Sequence, residues 1–180
     1  EAPAPAPAPD AAAETAMRRA PGEVESTRGD IYARETASHV AAIRDWIARQ
    51  RGLPEPHTLT EPAYRACHTL AGSSKTAGAR HGIRLAEPLN RWLRKSFDSA
   101  VGLTTADLDL IEDCMAAMEA VSTHLSADTG FFSMHSSLRE RIEAGEAELD
   151  ARIAAAAQPA TSPAATSETL VAKFDFSQVF

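Results

Sequence analysis

The chain has 180 residues, of which 44% are hydrophobic and only 6% aromatic, enough for one packed domain with tails and, being rich in alanine, better suited to helices than to sheets. A net charge of −7 argues against nucleic acid as the main partner. The absence of any 18-residue apolar run argues against membrane insertion.

Residues 1–29 read as an Ala/Pro-rich linker, because alternating Ala and Pro build no core and favour an extended spacer. With no initiator Met and no signal-peptide pattern, the chain reads as a piece of something longer. Helical periodicity dominates residues 30–157. A first helix is predicted from about Asp30 to Gln50, with Thr36, Val40, Ile43 and Ile47 on one face and Pro54 and Pro56 closing it. A second starts after Thr60, a good N-cap, and ends near Gly78. Its expected core stripe is Tyr64, Cys67, Leu70, Ser74 and Ala77. A third covers about Arg80 to Phe97, with Leu85, Leu89, Trp92 or Leu93, and Phe97 inward and a bend or irregular turn expected at Pro88.

A fourth helix is predicted over about Thr104–Ser126. Thr104 and Asp107 have capping-box spacing, and Leu108, Ile111, Met115, Met118 and Leu125 form its stripe. A fifth covers about Ser133–Ala157, with Met134, Leu138, Ile142, Leu149 and Ile153 inward. Short connections make neighbouring helices antiparallel. The expected fold is therefore all-α: an antiparallel up-down four-helix bundle over 30–126 with an additional C-terminal helix at about 133–157. Residues 158–180 read as a second linker and, from Phe174, the start of a following module.

Cys67 and Cys114 show no metal or redox spacing and sit at apolar helical positions, as buried free thiols of a reducing, cytoplasmic compartment do; a disulfide between them is the alternative reading. A di-iron bundle needs Glu-x-x-His pairs on two helices; the nearest spacing is Glu35 to His39, so no metal is expected. His39, His57, His81, His124 and His135 read as surface residues, and Trp46 and Trp92 as packing.

The segment that carries chemistry is Arg65-Ala-Cys-His-Thr-Leu-Ala-Gly-Ser-Ser-Lys-Thr-Ala-Gly-Ala79. On a helix, His68 falls at the edge of the buried face. Lys75 lies two turns on, and Glu61, Arg65 and Gly72 share the exposed side. A lone exposed imidazole is a nucleophile for a phosphoryl group, and nearby cations stabilise the transferring charge. Glycine at 72 costs helix propensity but clears the face for another protein's backbone. Residues 65–95 hold seven basic side chains against the single acid Glu87, a local charge of +6. Such a strip would steer an acidic partner.

These residues resemble the histidine phosphotransfer (HPt) family, whose signature His-x-Leu-Lys-Gly-Ser, closed by a Gly-Ala pair, is matched at His68, Leu70, Gly72, Ser73, Gly78 and Ala79. The longer stretch HTLAGSSKTAGARHGIRLAEPLNRWLRKSFDS is similar to the repeated HPt domains of CheA-like hybrid kinases that control type IV pili and twitching motility. The resemblance spans roughly residues 30–126. It implies a phosphorelay module phosphorylated on His68, with Lys75 and Arg65 as candidates to stabilise the phosphoryl group and Gly72, Glu61, Arg84 and Arg91 to dock the partner. The implied partners are response-regulator receiver domains and the kinase catalytic domain of a parent chain. The module itself would be monomeric and free of cofactor, with Mg2+ on the receiver or kinase partner. No ATP-binding glycine motif is present, so no kinase site is expected within the chain. The family's lysine, three residues after the histidine, is Ala71 here. Lys75, Arg65 or an arginine of the third helix would have to replace it, or the bundle would serve as a docking or spacer module.

Overall fold

Five helices follow one another along the chain: α1 (Pro21–Arg51), α2 (Glu61–Ala77), α3 (Arg80–Ser99), α4 (Thr105–Thr123) and α5 (Phe131–Ala157). The structure, a computed structural model, describes residues 21–123 and 131–158, with side chains over 27–123 and 135–158. The expectations for residues 1–20, His124, Leu125, Ser126, the Met134 side chain and residues 159–180 lie outside the described residues. Among the described residues all regular structure is helical, and no helix is long and apolar enough to cross a membrane.

The first helix starts at Pro21, nine residues ahead of the expected Asp30. Pro21 is the last proline before Pro54, and proline is tolerated at a helix's first position, so nothing between them breaks the helix. The predicted bend at Pro88 does not interrupt α3, which is helical from Arg80 to Ser99.

Helices α1 and α2 pack together, as do α2 and α3, α3 and α4, and α4 and α1; α5 lies on α3 and α4. The predicted stripes meet in one core. Thr36, Val40, Ile43 and Ile47 of α1 and Leu108, Ile111, Met115 and Met118 of α4 are all buried. On α3 both Trp92 and Leu93 are inward, because two neighbours, α2 and α5, cover different sides of that helix.

Local chemistry fixes the ends. Gly78 is left-handed (φ 69°); its N–H donates to Lys75 O, and Ala79 N–H donates to Ser74 O, both at 3.0 Å. This is a Schellman stop, for which glycine carries no steric cost. Four residues later Gly82 lets α3 pass close to α2: a Cβ there would collide with Tyr32 Oη and lie 3.1 Å from Ser74 Oγ. Tyr32 and Ser74 are buried and hydrogen-bonded at 2.9 Å, while Ser74 also donates to Leu70 O at 2.7 Å. The capping box of α4 forms as predicted: Thr104 N–H donates to Asp107 Oδ2 at 2.8 Å, and Asp107 N–H to Thr104 Oγ1 at 3.1 Å.

His57, read as a surface residue, is buried at 2% exposure. Its backbone pairs in both directions with Leu103, at 2.7 and 2.8 Å, and its Nε2 lies 3.2 Å from Thr105 Oγ1. The periodicity of a helix says nothing about loop residues, which is why this escaped the sequence.

The fifth helix is part of the core. Leu138, Ile142 and Leu149 are buried, and Gly145 brings α5 onto the Trp92 ring, where a Cβ would stand 3.2 Å from Cζ2. Polar contacts reinforce the docking. Glu146 accepts from Arg91 Nε at 2.9 and 3.0 Å, and pairs with Lys95 Nζ at 2.8 Å. Lys95 also reaches Asp150 at 2.7 Å, and Arg152 bridges Asp107 (2.7 Å) and Gly102 O (3.0 Å).

Candidate functional site

The middle of α2 presents His68 to solvent. The helix begins after Thr60, whose extended backbone (φ −80°, ψ 152°) suits an N-cap, although its hydroxyl makes no capping hydrogen bond. Of the expected stripe Cys67, Leu70 and Ser74 are buried, while Tyr64 and Ala77 are half-buried; Ala63, Ala66 and Ala71 join the core instead.

Around His68 the helix satisfies its own polar groups. Thr69 donates to Arg65 O at 2.9 Å, Ser73 to Thr69 O at 3.0 Å and Thr76 to Gly72 O at 3.1 Å, the usual back-bonding of hydroxyls within a helix. Among the described residues, neither ring nitrogen of His68 has a hydrogen-bond partner. Its neighbour is aromatic: the Tyr64 ring lies 6.1 Å away, and Tyr64 in turn stacks on Phe97 of α3 at 4.7 Å. One turn past His68, a Cβ built on Gly72 would meet nothing within 4 Å. The face is open.

The cations expected to serve the phosphoryl group are each engaged by a carboxylate. Arg65 pairs with Glu61 at 2.8 Å and Lys75 with Glu87 at 2.7 Å. Both pairs are well exposed, and pairs of this kind contribute only about 0–1 kcal/mol, so a competing anion can displace them. Ala71, expected between the exposed face and the core, is buried at 5% exposure. The position at which the HPt signature carries lysine is thus an apolar contact in this chain.

The docking set divides. His68, Gly72, Glu61 and Arg65 share the exposed side of α2. Arg91 does not join them, since its guanidinium is held by Glu146 of α5. Arg84, exposed on α3, lies seven residues before Arg91 and therefore on the same side of that helix. The +6 strip is a property of sequence position more than of surface. Arg65, Lys75, Arg91, Arg94 and Lys95 all have carboxylate partners, Arg94 pairing with Asp98 at 3.2 Å.

Two residues beside the site were not singled out by sequence reasoning. Tyr64, placed in the core stripe, is half-buried and its ring also flanks His68. Asn90 has a buried side-chain oxygen without a hydrogen-bond partner. Along α3, Asn90 lies between Glu87 and Phe97, the two residues that meet Lys75 and Tyr64 of α2. A polar residue seven positions before an inward Phe97 was the available signal. Cys67, next to His68 in sequence, is a free buried thiol whose pKa burial pushes up to about 12, so it does not compete as a nucleophile. Cys114 is likewise buried and free, its thiol also pushed up by burial.

No family model, curated protein or solved structure matches this chain.

Proposed function

We propose that the chain is a histidine phosphotransfer module: an antiparallel up-down four-helix bundle of HPt type, α1–α4, braced by α5. The observation that carries this reading is His68 itself, an exposed imidazole without a hydrogen-bond partner among the described residues, beside the open face at Gly72. The cross-helix contacts support the bundle topology. Tyr32 meets Ser74 while Trp46 Nε1 donates to Thr58 O, which is the order of antiparallel α1 and α2. Tyr64 meets Phe97 while Lys75 meets Glu87, the order of antiparallel α2 and α3.

In this reading a ring nitrogen of His68 attacks the phosphorus of an aspartyl phosphate on a response-regulator receiver. The N–P bond forms, the acyl phosphate P–O bond breaks, and the aspartate leaves as carboxylate. The reverse transfer follows the same path. Lys75 and Arg65 exchange their carboxylate partners for phosphoryl oxygens. The receiver, or the kinase domain of a parent chain, supplies Mg2+. The signalling context is a cytoplasmic two-component relay of the type that controls type IV pili.

A second reading has its own support: with Ala71 buried, the family's cation has no direct replacement, and the bundle would dock or space without transferring. One experiment separates them. The chain is mixed with pre-phosphorylated receivers, and acid-labile, alkali-stable label is followed on wild type and His68→Gln. Label on wild type that is lost in His68→Gln, with helicity retained, is the expected result. Absence of label on wild type favours the docking module, and label retained in the variant overturns the assignment of His68.

A further inference from the structure

Helix α5 stands outside the ring of α1–α4, yet it places its acidic side chains on the basic side of α3. Glu146 is only 9% exposed. It takes both Arg91 and Lys95, and Lys95 is shared with Asp150. The Glu146 carboxyl side chain is 11% exposed, against 59% for Glu61 and 47% for Glu87 on the α2 side. Water and a visiting anion compete easily for the α2 pairs. Water has little access to Glu146, which is fixed from below by the packing of Gly145 on Trp92 and by the buried Leu149, so this carboxylate stays in place beside Arg91 and Lys95 even though Arg91 and Asp150 are themselves exposed.

We propose that α5 is an electrostatic mask: Glu146 and Asp150 withhold Arg91 and Lys95 from acidic protein surfaces, so that such a partner is directed away from this edge of α3 and towards the α2 edge that carries His68. That the partner is a receiver rests on the phosphotransfer reading; the mask rests on the ion pairs alone. It assigns a specificity role to a helix that contributes nothing to the chemistry. Two cations left free on the α3 edge would offer an acidic partner a second landing place, and a protein docked there would be unproductive.

The test uses the full chain and a fluorescent polyglutamate peptide as the acidic probe. Glu146→Gln/Asp150→Asn keeps the shape of both side chains and removes their charge. A charge-matched control, Glu140→Gln/Glu148→Gln, removes two exposed acids from the same helix. The mask predicts that the first variant binds the probe at low salt about tenfold more tightly than wild type, as two new exposed ion pairs would give, and that the control gains much less. Equal gains in the two variants would overturn it, because the effect would then be net charge alone. Should Glu146→Gln unfold, Asp150→Asn by itself must still tighten binding beyond Glu148→Gln. Failure to do so overturns the mask as well. None of these outcomes depends on His68, so the phosphotransfer reading stands or falls separately in the labelling experiment.

Discussion

The two sides of α3 solve the problem of surface charge in opposite ways. Towards α2, ion pairs are single and exposed, an aromatic stack replaces them near Tyr64, and the imidazole of His68 has no hydrogen-bond partner among the described residues. Towards α5, charges are shared among several groups and partly buried; Glu146 has almost no access to water, and neither has Asp107 of α4, which Arg152 ties to the same helix. The first arrangement stores little energy and can be rearranged by a visitor. The second resists rearrangement, because a buried carboxylate that loses its cation bears its full desolvation cost. The exchangeable edge is where binding chemistry is possible, and the fixed edge is what holds the helix pair in place.

This contrast can be broken or sharpened by substitution. Arg152→Ala leaves Asp107, whose side chain is 6% exposed, without its guanidinium, and should cost about 2–3 kcal/mol in urea denaturation. Arg65→Ala on the exchangeable edge should cost less than about 1 kcal/mol. Similar losses at the two sites would erase the distinction. The glycines offer a second comparison. Gly82→Ala drives a methyl group into the Tyr32–Ser74 pair and should destabilise by about 2 kcal/mol, whereas Gly72→Ala, with open space before it, should stabilise by up to about 1 kcal/mol. Ala71→Lys puts an ammonium stem into an apolar contact; we expect a loss of about 1–2 kcal/mol, moderated if the chain reaches solvent, and no gain in labelling. Improved labelling at unchanged stability would instead place that position at the reactive edge.

The smallest effect is in pH. Hydrogen bonds from Arg91, and then from Lys95, hold the Glu146 carboxyl below its ordinary value of 4.5, against the opposing effect of burial. A carboxyl whose folded pKa is depressed stabilises the fold fully above the ordinary value, and that contribution is lost as pH falls through the folded value. Acidification below about pH 4.5 should therefore lower the urea midpoint of wild type more than that of Glu146→Gln. Parallel curves would mean that Glu146 contributes nothing to pH dependence.

Much of the helical pattern was legible because helix burial repeats every 3.6 residues. That regularity carried the stripe of α1 and that of α4 from Leu108 to Met118, while the residue types that suit helix ends gave the stop at Gly78 and the capping box at Thr104. It also placed His68 outside and Ser74 inside. It misjudged Ala71, because alanine has no size or polarity to mark a face, and only the approach of α3 decides that the position is covered. It could not assign Arg91 to α5, since Arg91 and Glu146 are 55 residues apart and no local rule links them. The earlier start of α1 escaped because Gly22, Ser26 and Gly29 weaken propensity without forbidding a helix. The neighbourhood of His68 was read from spacing; Tyr64, four residues before it on the same helix, was within reach of that rule but was assigned to the core stripe, while the Tyr64–Phe97 stack and the unpartnered oxygen of Asn90 depend on the register between two helices, which spacing within one helix does not contain.

The reciprocal pairing of His57 with Leu103 has a consequence for local opening. Both residues lie outside the helices, where backbone amides ordinarily trade protons with solvent quickly. Here each N–H is bonded to the other's carbonyl, and both side chains are buried, at 2% and 0% exposure. The loop after α1 and the loop after α3 are thereby latched to each other, and neither amide is freed unless both loops part. In deuterium exchange these two amides should be retained as long as those in the middle of the helices and be lost together, a single opening event shared by segments 46 residues apart in the chain.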